Sequence, residues 1–544
     1  MARLLLGPIL RRVSTSDATV WVETDEPCRV EVLGYEDATF CVEGHHYAVL
    51  DVQGLSPGEV TPYAVHLDGE QAWPLDDGLP PSTIRTLPGN GRLRLVLGSC
   101  QQRAPHQPPW TLRPSVDKRG LGPDALLGVA YGMAVGRSPR PDALVLIGDQ
   151  VYADEPNPAT VQALQHRRGG PPCPGWPEVA SFEEYTWLYQ EAWREGLMRW
   201  LLSCVPSFMI FDDHDVIDDW NTSLAWRQKV EQYPWWSGRI HGALMAYWLY
   251  QHLGNSAFAE RQDDDLLAEV RSQSDGGPAL RAFAERADVG TPGDGGHRWS
   301  HVHDLGPCRL IVLDSRNGRR LRPGERAMLG DAEWAWFDDL ARGGFDHLLI
   351  GTSVPWILPR SLHNLEAWDE EVAGGAWGQP ARRFGEWLRQ AIDLEQWAAF
   401  GSSFEDLASV VASVAAGERG PAPETVLALS GDVHFGYVAE ATLGGTSRVR
   451  QIVSSPLRQA SSPMERRAQR AAMTFPFSLL TSGLMMTTPR ARPRFPWQVT
   501  DGPWFDNHVV LLEFQGRRVT MRAERAVLGE DNQPLLENIM EREL

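Results

Sequence analysis

Four short apolar runs in this sequence each end at side chains that can bind metal ions or transfer protons. The runs have the length and composition of buried strands and lie at residues 95–97, 143–147, 208–211 and 426–429. The segments that follow them are Gly98-Ser99-Cys100, residues 148–154, Asp212-Asp213-His214-Asp215 and Gly431-Asp432-Val433-His434. Because the carboxyl ends of strands in an open α/β sheet meet at one crevice, this pattern predicts one site built from residues far apart in the sequence.

Residues 1–91 have the pattern of a small β-sandwich. Short segments separated by Gly, Pro, Asp and Ser turn signals predict strands at residues 8–13, 18–22, 29–33, 39–42, 47–52, 63–67 and 83–86. Tyr63 follows a Gly- and Pro-rich turn, which resembles the tyrosine corner of fibronectin type III-like domains. The predicted linker is residues 87–91. Such domains are usually structural or docking units, so we expect this one to contribute no ligand.

From residue 92 to residue 544, strand-like runs alternate with helical patterns, which predicts one layered α/β domain with insertions. Helices are predicted at residues 182–203, with Ser181 as the cap, and at residues 238–252 and 331–341. The acidic, Gly-rich sequence near residues 263–277 predicts an exposed insertion. The Pro-rich residues 461–503 predict an irregular surface segment before a final pair of strands at residues 508–514 and 519–524.

The composition excludes several kinds of partner. The chain has 51 Lys and Arg residues against 71 Asp and Glu residues, a formal net charge of −20, so a nucleic acid or an anionic membrane would be repelled. No apolar run is long enough to span a membrane, and no secretory signal pattern is recognised. The six cysteines lack framework spacing, which fits reduced thiols. We therefore expect a cytoplasmic protein with a small-molecule substrate.

Asp149, Tyr152 and Cys100 are the first candidate ligands. An aspartate at a strand end can bridge two cations because its two oxygens reach separate metal ions, and Tyr152 can return to the same centre as a phenolate. A Cys100 thiolate beside a cation favours a transition metal over calcium or magnesium, and with a phenolate it favours ferric iron over zinc. The alternatives are a capped turn with a packed tyrosine, and a buried structural cysteine.

The second group of candidates lies in the acidic cluster and in the last of the four segments. Asp212-Asp213-His214-Asp215 is either a cation site or a solvated acidic turn, because neighbouring carboxylates repel one another when unpaired. The apolar residues 208–211 that lead into the cluster favour the cation site. Asp432 and His434 lie on one side of an extended segment, in the i, i+2 relation.

The order and identity of these segments resemble the alkaline phosphatase D (PhoD-like) family of metallophosphoesterases. Further segments in the family's order are Leu313-Asp314-Ser315-Arg316, residues 351–356 and residues 453–456, so the resemblance covers about residues 92–456. It implies a four-layer α/β/β/α sandwich behind the small N-terminal β domain. It also implies a phosphoesterase that hydrolyses phosphodiesters or phosphomonoesters through attack of a metal-activated water or oxide on phosphorus.

The resemblance implies the cofactors as well. Iron (Fe³⁺) would be held by Cys100, Asp149, Tyr152 and His434. One or two calcium ions would be held by ligands that include Asp149, Asp213 and Asp432, and other divalent metals are the alternatives.

Two positions qualify the resemblance. Close relatives of the secreted type carry paired asparagines after the Asp-Asp-His block, whereas this chain has Asp218 and Asp219, which makes the calcium side more anionic or leaves it differently built. Ser353 stands where general metallophosphoesterases have a ligand histidine. This serine fits the D-type site and argues against a zinc or manganese centre.

His214 and Arg316 are the candidate catalytic residues. Neighbouring carboxylates raise the pKa of a histidine, so His214 is suited to protonate the leaving group; the alternative is a structural histidine held by carboxylates. Arg316 can orient a phosphate as a bidentate donor, and a structural ion pair is the alternative.

Two other functions stay open at this stage. One is a catalytically weak member of the same fold that binds metal or phosphate as a sensor or scaffold, which the intact ligand set argues against. The other is a hydrolase with a serine nucleophile, which would need the Gly-x-Ser-x-Gly elbow that this chain lacks.

Overall fold

The structure is a computed structural model and describes residues 1–169, 178–489 and 493–544. In chain order the strands are β1 (Leu4–Val13), β2 (Ala18–Thr24), β3 (Arg29–Val32), β4 (Tyr35–Ala38), β5 (Phe40–Val42), β6 (His45–Val52), β7 (Val60–Pro62), β8 (Val65–Leu67), β9 (Glu70–Trp73), β10 (Thr83–Arg85), β11 (Arg92–Gly98), β12 (Ala143–Ile147), β13 (Ser207–Ile210), β14 (His301–Leu305), β15 (Cys308–Leu313), β16 (His347–Thr352), β17 (Thr425–Ser430), β18 (Gly436–Ala441), β19 (Arg448–Val453), β20 (Trp497–Trp504), β21 (His508–Gln515), β22 (Arg518–Leu528) and β23 (Pro534–Glu543).

The α-helices are α1 (Ala125–Ala134), α2 (Pro158–Arg168), α3 (Phe182–Trp193), α4 (Gly196–Cys204), α5 (Leu224–Val230), α6 (Trp236–Tyr247), α7 (Leu253–Asn255), α8 (Phe258–Gln262), α9 (Asp265–Ser272), α10 (Gly277–Val289), α11 (Asp331–Leu340), α12 (Arg360–Gly374), α13 (Gln379–Ala391), α14 (Gly401–Ala415), α15 (Pro463–Ala472) and α16 (Phe475–Met485). A π-helical turn, Trp248–His252, joins α6 to α7 without a break, and short 3₁₀ turns lie at Trp397–Ala399 and Glu530–Asn532. Among the described residues, no helix is both long enough and apolar enough to cross a membrane.

The N-terminal strands form the predicted small β-sandwich. Its sheets have the orders β1-β2-β6-β5 and β4-β3-β8-β9, and β10 pairs with β7. Alternate strand residues fill one core, which includes Leu10, Val20, Val30 and Leu50. The expected tyrosine corner is wrong, because the Tyr63 hydroxyl donates to the backbone oxygen of Ser203 in α4 at 2.7 Å and so ties the sandwich to the α/β domain.

Two mixed sheets form the centre of the α/β domain. The first has the order β13-β12-β11-β21-β22-β23, and the second has the order β14-β15-β16-β17-β19-β18-β20. In β17, Leu427 and Leu429 pack in the core that also holds residues of the first sheet, whereas Val426 and Ala428 pack with Phe404 of α14. This period of two puts the second sheet between the first sheet and a helical layer, and the predicted four-layer α/β/β/α fold is confirmed.

The parallel strands bring the polar segments to one edge. β11, β12 and β13 are parallel neighbours, as are β15, β16 and β17. Ser454, just past β19, links the two sheets, since its hydroxyl donates to the backbone oxygen of Leu97 at 3.0 Å. Its own backbone oxygen accepts from the Ser99 hydroxyl at 3.1 Å.

Several local predictions differ from the structure. The helix predicted at residues 182–203 is two helices, α3 and α4. The insertion expected near residues 263–277 is largely helical, and Leu267 and Val270 of α9 are buried. Residues 461–503 contain α15, α16 and β20, although residues 490–492 lie outside the described part of the chain. Ser462, Pro463 and Glu465 form a capping box with proline in the first turn, a helix start signal that the sequence carried.

Candidate metal centre

The four polar segments converge at the carboxyl ends of the strands. Ligand atoms of Asp149, Asp212 and Asp213 lie within 4.8 Å of one another. Two further groups of the same size are Asp213 with His214 and Asp218, and Asp213 with Glu395 and Asp432. Asp213 belongs to all three groups and is therefore the centre of the cluster.

The backbone at these positions adopts conformations that side-chain-bearing residues rarely take. The φ angles of Cys100, Asp149, Asp432 and His434 are +55°, +50°, +68° and +55°. Such values cost free energy and cluster at functional sites, where the surrounding structure enforces them. Gly148, with φ +96°, leaves room for Asp212, which lies just past β13. A Cβ at position 148 would lie 2.7 Å from the Asp212 Cβ.

Asp215 holds two of these loops in place. One of its carboxylate oxygens accepts the backbone N–H of Asp149 at 3.0 Å and of Asp212 at 2.9 Å. The carboxylate is buried, and it fixes the loops after β12 and β13 relative to each other.

The cluster contains carboxylate oxygens that the rest of the described chain leaves unsatisfied. Oδ1 of Asp149 and Oδ2 of Asp212 are buried and accept no hydrogen bond, whereas Oδ1 of Asp213 is paired with the Arg316 guanidinium at 3.2 Å. Burial raises the pKa of Asp149 and of Asp432 well above the usual range and that of Asp212 to about 6. Because a buried charge without a partner is costly, this donor set fits hard cations, which take carboxylate oxygens as ligands.

Arg316 lies inside the cluster and is fully buried. Its Nη1 is 2.5 Å from Glu395 Oε1, and its Nη2 is 3.1 Å from Asp432 Oδ1 and 3.2 Å from Asp213 Oδ1. Its Nε donates to Asp212. Each of the three guanidinium nitrogens therefore contacts at least one carboxylate. A role for Arg316 as a phosphate donor stays a prediction, and its contacts are those of a counter-ion.

His214 is oriented by Asp154. Its Nδ1 donates to the two oxygens of Asp154 at 2.9 and 3.0 Å, and its Nε2 lies 3.9 Å from Asp218 Oδ1. The ring stacks on Tyr152 with centroids 4.7 Å apart. Burial by itself lowers the pKa of His214, but the charge and hydrogen bonds of Asp154, with Asp213 and Asp149, raise it well above 6.5.

Cys100, Tyr152 and His434 border the carboxylate cluster: Cys100 Sγ is 3.8 Å from the Asp432 backbone oxygen, Tyr152 stacks on His214, and His434 lines the adjoining cavity. The Cys100 thiol accepts from the Ser455 hydroxyl at 3.1 Å, and burial followed by the charge of Asp149 raises its pKa. The Tyr152 hydroxyl donates to the side-chain oxygen of Gln459. Burial lowers the pKa of His434 to about 4, so its imidazole is neutral, as a metal ligand must be.

Comparison with known families agrees with this architecture. Residues 123–476 match the model of the PhoD-like phosphatase family. The chain belongs to the PhoD-like phosphatase family. Residues 1–84 match a domain of unknown function, DUF7800.

A solved structure described as "Structure of PhoD" resembles the whole PhoD-like chain. Its TM-score is 0.57 at 12% sequence identity, and the match covers 99% of this chain and 92% of that one. At this identity the likeness supports the fold alone. A comparison with curated protein sequences finds no match.

The PhoD-like centre opens into a cavity of about 220 Å³. Five of the predicted site residues line it: Asp149, Asp213, His214, Asp432 and His434. The apolar part of the lining comes from Leu358, Leu362, Ile392, Val433 and Phe435. The side chains with reactive groups therefore face a small, half-apolar space that can admit a phosphoester.

Sequence reasoning missed three acidic residues of this PhoD-like site. Asp154 lies in the segment after β12, and its spacing gave no sign that it would hold His214. Glu395 follows no strand, so the strand-end pattern could not find it. Asp393 also lines the cavity, and burial followed by the charge of Glu395 raises its pKa to about 6.

Asp218 and Asp219 differ in position. Asp218 lines the cavity, whereas Asp219 is buried and its backbone N–H donates to Asp213 at 3.1 Å. Burial raises the pKa of Asp218 to about 7 and, with the charge of Glu395, that of Asp219 to about 10. When no cation is bound, both carboxyl groups therefore hold a proton more tightly than an ordinary aspartate does.

Proposed function

We propose that this PhoD-like protein is a metal-dependent phosphoesterase that hydrolyses phosphodiesters, phosphomonoesters or both. The observation that supports it best is the convergence of Asp149, Asp212 and Asp213, with unsatisfied buried oxygens on Asp149 and Asp212, beside a cavity that an Asp-held histidine also faces. Bound cations would stabilise the buried carboxylate oxygens that lack partners, and the positioned imidazole provides a proton donor.

The proposed ligands follow from the donor set. Asp149, Asp213 and Asp432 would hold calcium or another divalent cation, and Cys100, Tyr152 and His434 would complete an iron site with Asp149. When bound, such cations offset the charge of the phosphoryl group and acidify a water for attack on phosphorus. The mixture of a thiol, a phenol and an imidazole supports a transition metal beside the harder cation.

His214 is the proposed general acid. Because its Nδ1 donates to Asp154, the second nitrogen of the protonated ring has a proton to give toward the cavity. A leaving alkoxide that accepts this proton departs as an alcohol, which lowers the barrier most for substrates with poor leaving groups. Asp154 orients the ring and stabilises its positive charge.

The proposed substrate is a small-molecule phosphoester. The cavity volume of about 220 Å³ suits a phosphoryl group with a small alcohol, and the net charge of −20 opposes long polyanions such as nucleic acid. A cytoplasmic location stays a prediction.

The deciding experiment joins elemental analysis to turnover. Protein purified without chelators should contain iron and calcium and should hydrolyse a generic diester or monoester. Asp149→Asn should lower both metal content and turnover, and Asp339→Asn, at an exposed position of α11, should lower neither. Stoichiometric metal without turnover of any phosphoester would favour the sensor or scaffold.

Asp149→Asn gives a second readout that does not depend on catalysis. In the metal-free protein the substitution removes one of several buried, mutually repelling carboxylates, so the free energy of unfolding should rise. With metal present the substitution should instead lower stability, because a ligand is lost. Thermal unfolding with and without chelator separates the two effects.

A further inference from the structure

Arg11, on β1 of the N-terminal sandwich, is a fully buried arginine that forms no ion pair with a carboxylate among the described residues. Its Nη2 donates to the backbone oxygen of Gln251 at 2.7 Å and to Asn255 Oδ1 at 3.1 Å. Gly254 leaves room for it, since a Cβ there would lie 2.1 Å from the Arg11 Nε. A buried cation without a counter-charge is costly, so these contacts require an explanation.

The contacts of Arg11 lie at the C-terminal end of the continuous helix formed by α6, the π-helical turn and α7. Carbonyl groups at a helix C-terminus lack intrahelical donors and carry partial negative charge. The guanidinium donates to the Tyr250 and Gln251 carbonyls near this negative end of the helix, so the sandwich contacts the π-helical turn directly.

The first connection from this turn to the metal centre passes through Gln251. Its side-chain amide donates to Asp215 Oδ1 at 3.3 Å and to the Tyr189 hydroxyl at 2.9 Å. The other oxygen of Asp215 accepts the backbone N–H groups of Asp149 and Asp212. Arg11 is thus linked, through one glutamine and one aspartate, to the backbone of the proposed ligand Asp149 and of Asp212.

The second connection passes through Asn255. Its Oδ1 accepts the backbone N–H of Met209 at 3.1 Å, and its Nδ2 donates to the backbone oxygen of Met209 at 2.7 Å. Arg11 Nη1 also donates to the Met209 sulfur at 3.0 Å. Met209 lies in β13, which leads into Asp212 and Asp213, so this connection ends at the loop after β13, which the first connection also reaches.

We propose that Arg11 is a positioning residue for the metal centre, and that the N-terminal sandwich serves to hold the loops after β12 and β13 in register. The sandwich supplies no ligand. It acts through the π-helical turn that Arg11 contacts and through Asp215. This inference rests on the proposed function for its catalytic consequence, but the geometric effect on the loops does not require turnover.

The test uses Arg11→Met in the full chain, with Arg199→Met as the matched control. Arg199 of α4 is also buried and also bridges to the sandwich, since it donates to the backbone oxygen of Gly7 at 2.5 Å and stacks over Trp73, but its contacts do not lead to Asp215. Amide hydrogen exchange, read by mass spectrometry on metal-free protein, should accelerate at Asp149 and Asp212 in Arg11→Met and stay unchanged there in Arg199→Met.

Metal titration gives the second readout. Calcium affinity should fall about 10–100-fold in Arg11→Met, the usual effect of losing an outer-shell contact, and Arg11→Lys should recover part of it. If Arg11→Met does not fold, Gln251→Leu removes the side-chain contacts to Asp215 and Tyr189, keeps the backbone oxygen that Arg11 contacts, and should accelerate the same amides.

Unchanged exchange at Asp149 and Asp212 in both Arg11→Met and Gln251→Leu would overturn the proposal, as would equal acceleration in Arg199→Met. A wild-type protein that binds no cation and hydrolyses no phosphoester would instead refute the proposed function. The exchange data would still report whether Arg11 orders the loops, so the two failures are distinguishable.

Discussion

Both carboxylate oxygens of Asp154 accept from a single imidazole nitrogen, Nδ1 of His214, at 3.0 and 2.9 Å. The other ring nitrogen is left on the cavity side, where Asp218 Oδ1 is 3.9 Å away. This arrangement separates the orienting group from the side of the ring that can meet a substrate.

His214→Ala should keep the metal content and slow hydrolysis by about 10²–10⁴-fold, the usual contribution of general acid catalysis. The loss should shrink as the leaving group becomes more acidic, because a good leaving group needs no proton. Turnover of a series of aryl and alkyl phosphoesters measures this dependence. Asp154→Asn should show the same trend with a smaller loss. Equal losses across the whole series would show that His214 has another role.

Iron bound by a phenolate should be visible in the absorption spectrum. The native protein should show a tyrosinate-to-iron charge-transfer band that Tyr152→Phe abolishes, and Cys100→Ala should lose iron while it keeps its fold. Tyr131→Phe, in α1, is the control and should retain the band. A colourless, fully active protein that contains only zinc would contradict the iron site.

Gly148→Ala should disrupt the centre through its Cβ rather than through backbone strain alone. The new atom would lie 2.7 Å from the Asp212 Cβ, whereas a Cβ at Gly136, where φ is also positive at +68°, would meet no atom within 4 Å. Gly136→Ala therefore serves as the control, with a cost of about 1 kcal/mol from the backbone. Only Gly148→Ala should lose metal and turnover, as elemental analysis and a phosphoesterase assay would report.

Acid should unfold the protein through its buried histidines. Burial lowers the pKa of His301 to about 3 and that of His297 to about 4, while an unfolded histidine has a pKa near 6.5. The folded state thus binds fewer protons, so the stability is fully present above about pH 6.5 and is lost as the pH falls toward 4. Each such histidine contributes about 1.4 kcal/mol per pH unit in this window.

Denaturant unfolding at pH 7.5 and pH 5, in excess chelator, measures this loss. His297→Phe should reduce the pH dependence of the free energy of unfolding by the contribution of about one proton. The variant should still fold, because a phenyl ring can pack against Phe283 and Trp299, which surround His297. His166→Phe, at an exposed position of α2, should leave it unchanged. An identical slope in wild type and His297→Phe would exclude His297 as a source of the acid sensitivity.

The layered fold and most of the centre could be predicted because they depend on local signals. The sequence shows a short apolar strand before each of Cys100, Asp149, Asp213 and Asp432. Parallel strands end at one edge of the sheet, so these residues are expected to lie close together. The helices α15 and α16 could not be recognised from the number of prolines in their segment. A proline in the first turn is compatible with a helix, so the capping signal at Ser462 is the more informative feature there.

The contacts of Asp154, Glu395 and Gln251 could not be predicted from the sequence. Gln251 reaches Asp215 only because α6 and its π-helical turn pack beside β13, and Glu395 reaches Arg316 from an irregular segment. Such contacts depend on the relative placement of elements that are distant in sequence, which periodicity and spacing do not encode.

Arg316 gives the carboxylate cluster a positive charge that belongs to the chain itself. An arginine in a protein does not lose its proton, so Asp212 and Glu395 have a partner before any cation arrives. Small domains without such an internal charge fold only as the metal binds. This chain can complete its fold first and bind cations afterwards. Its metal content would then depend on which cations were available where it matured, and would not show whether it had folded.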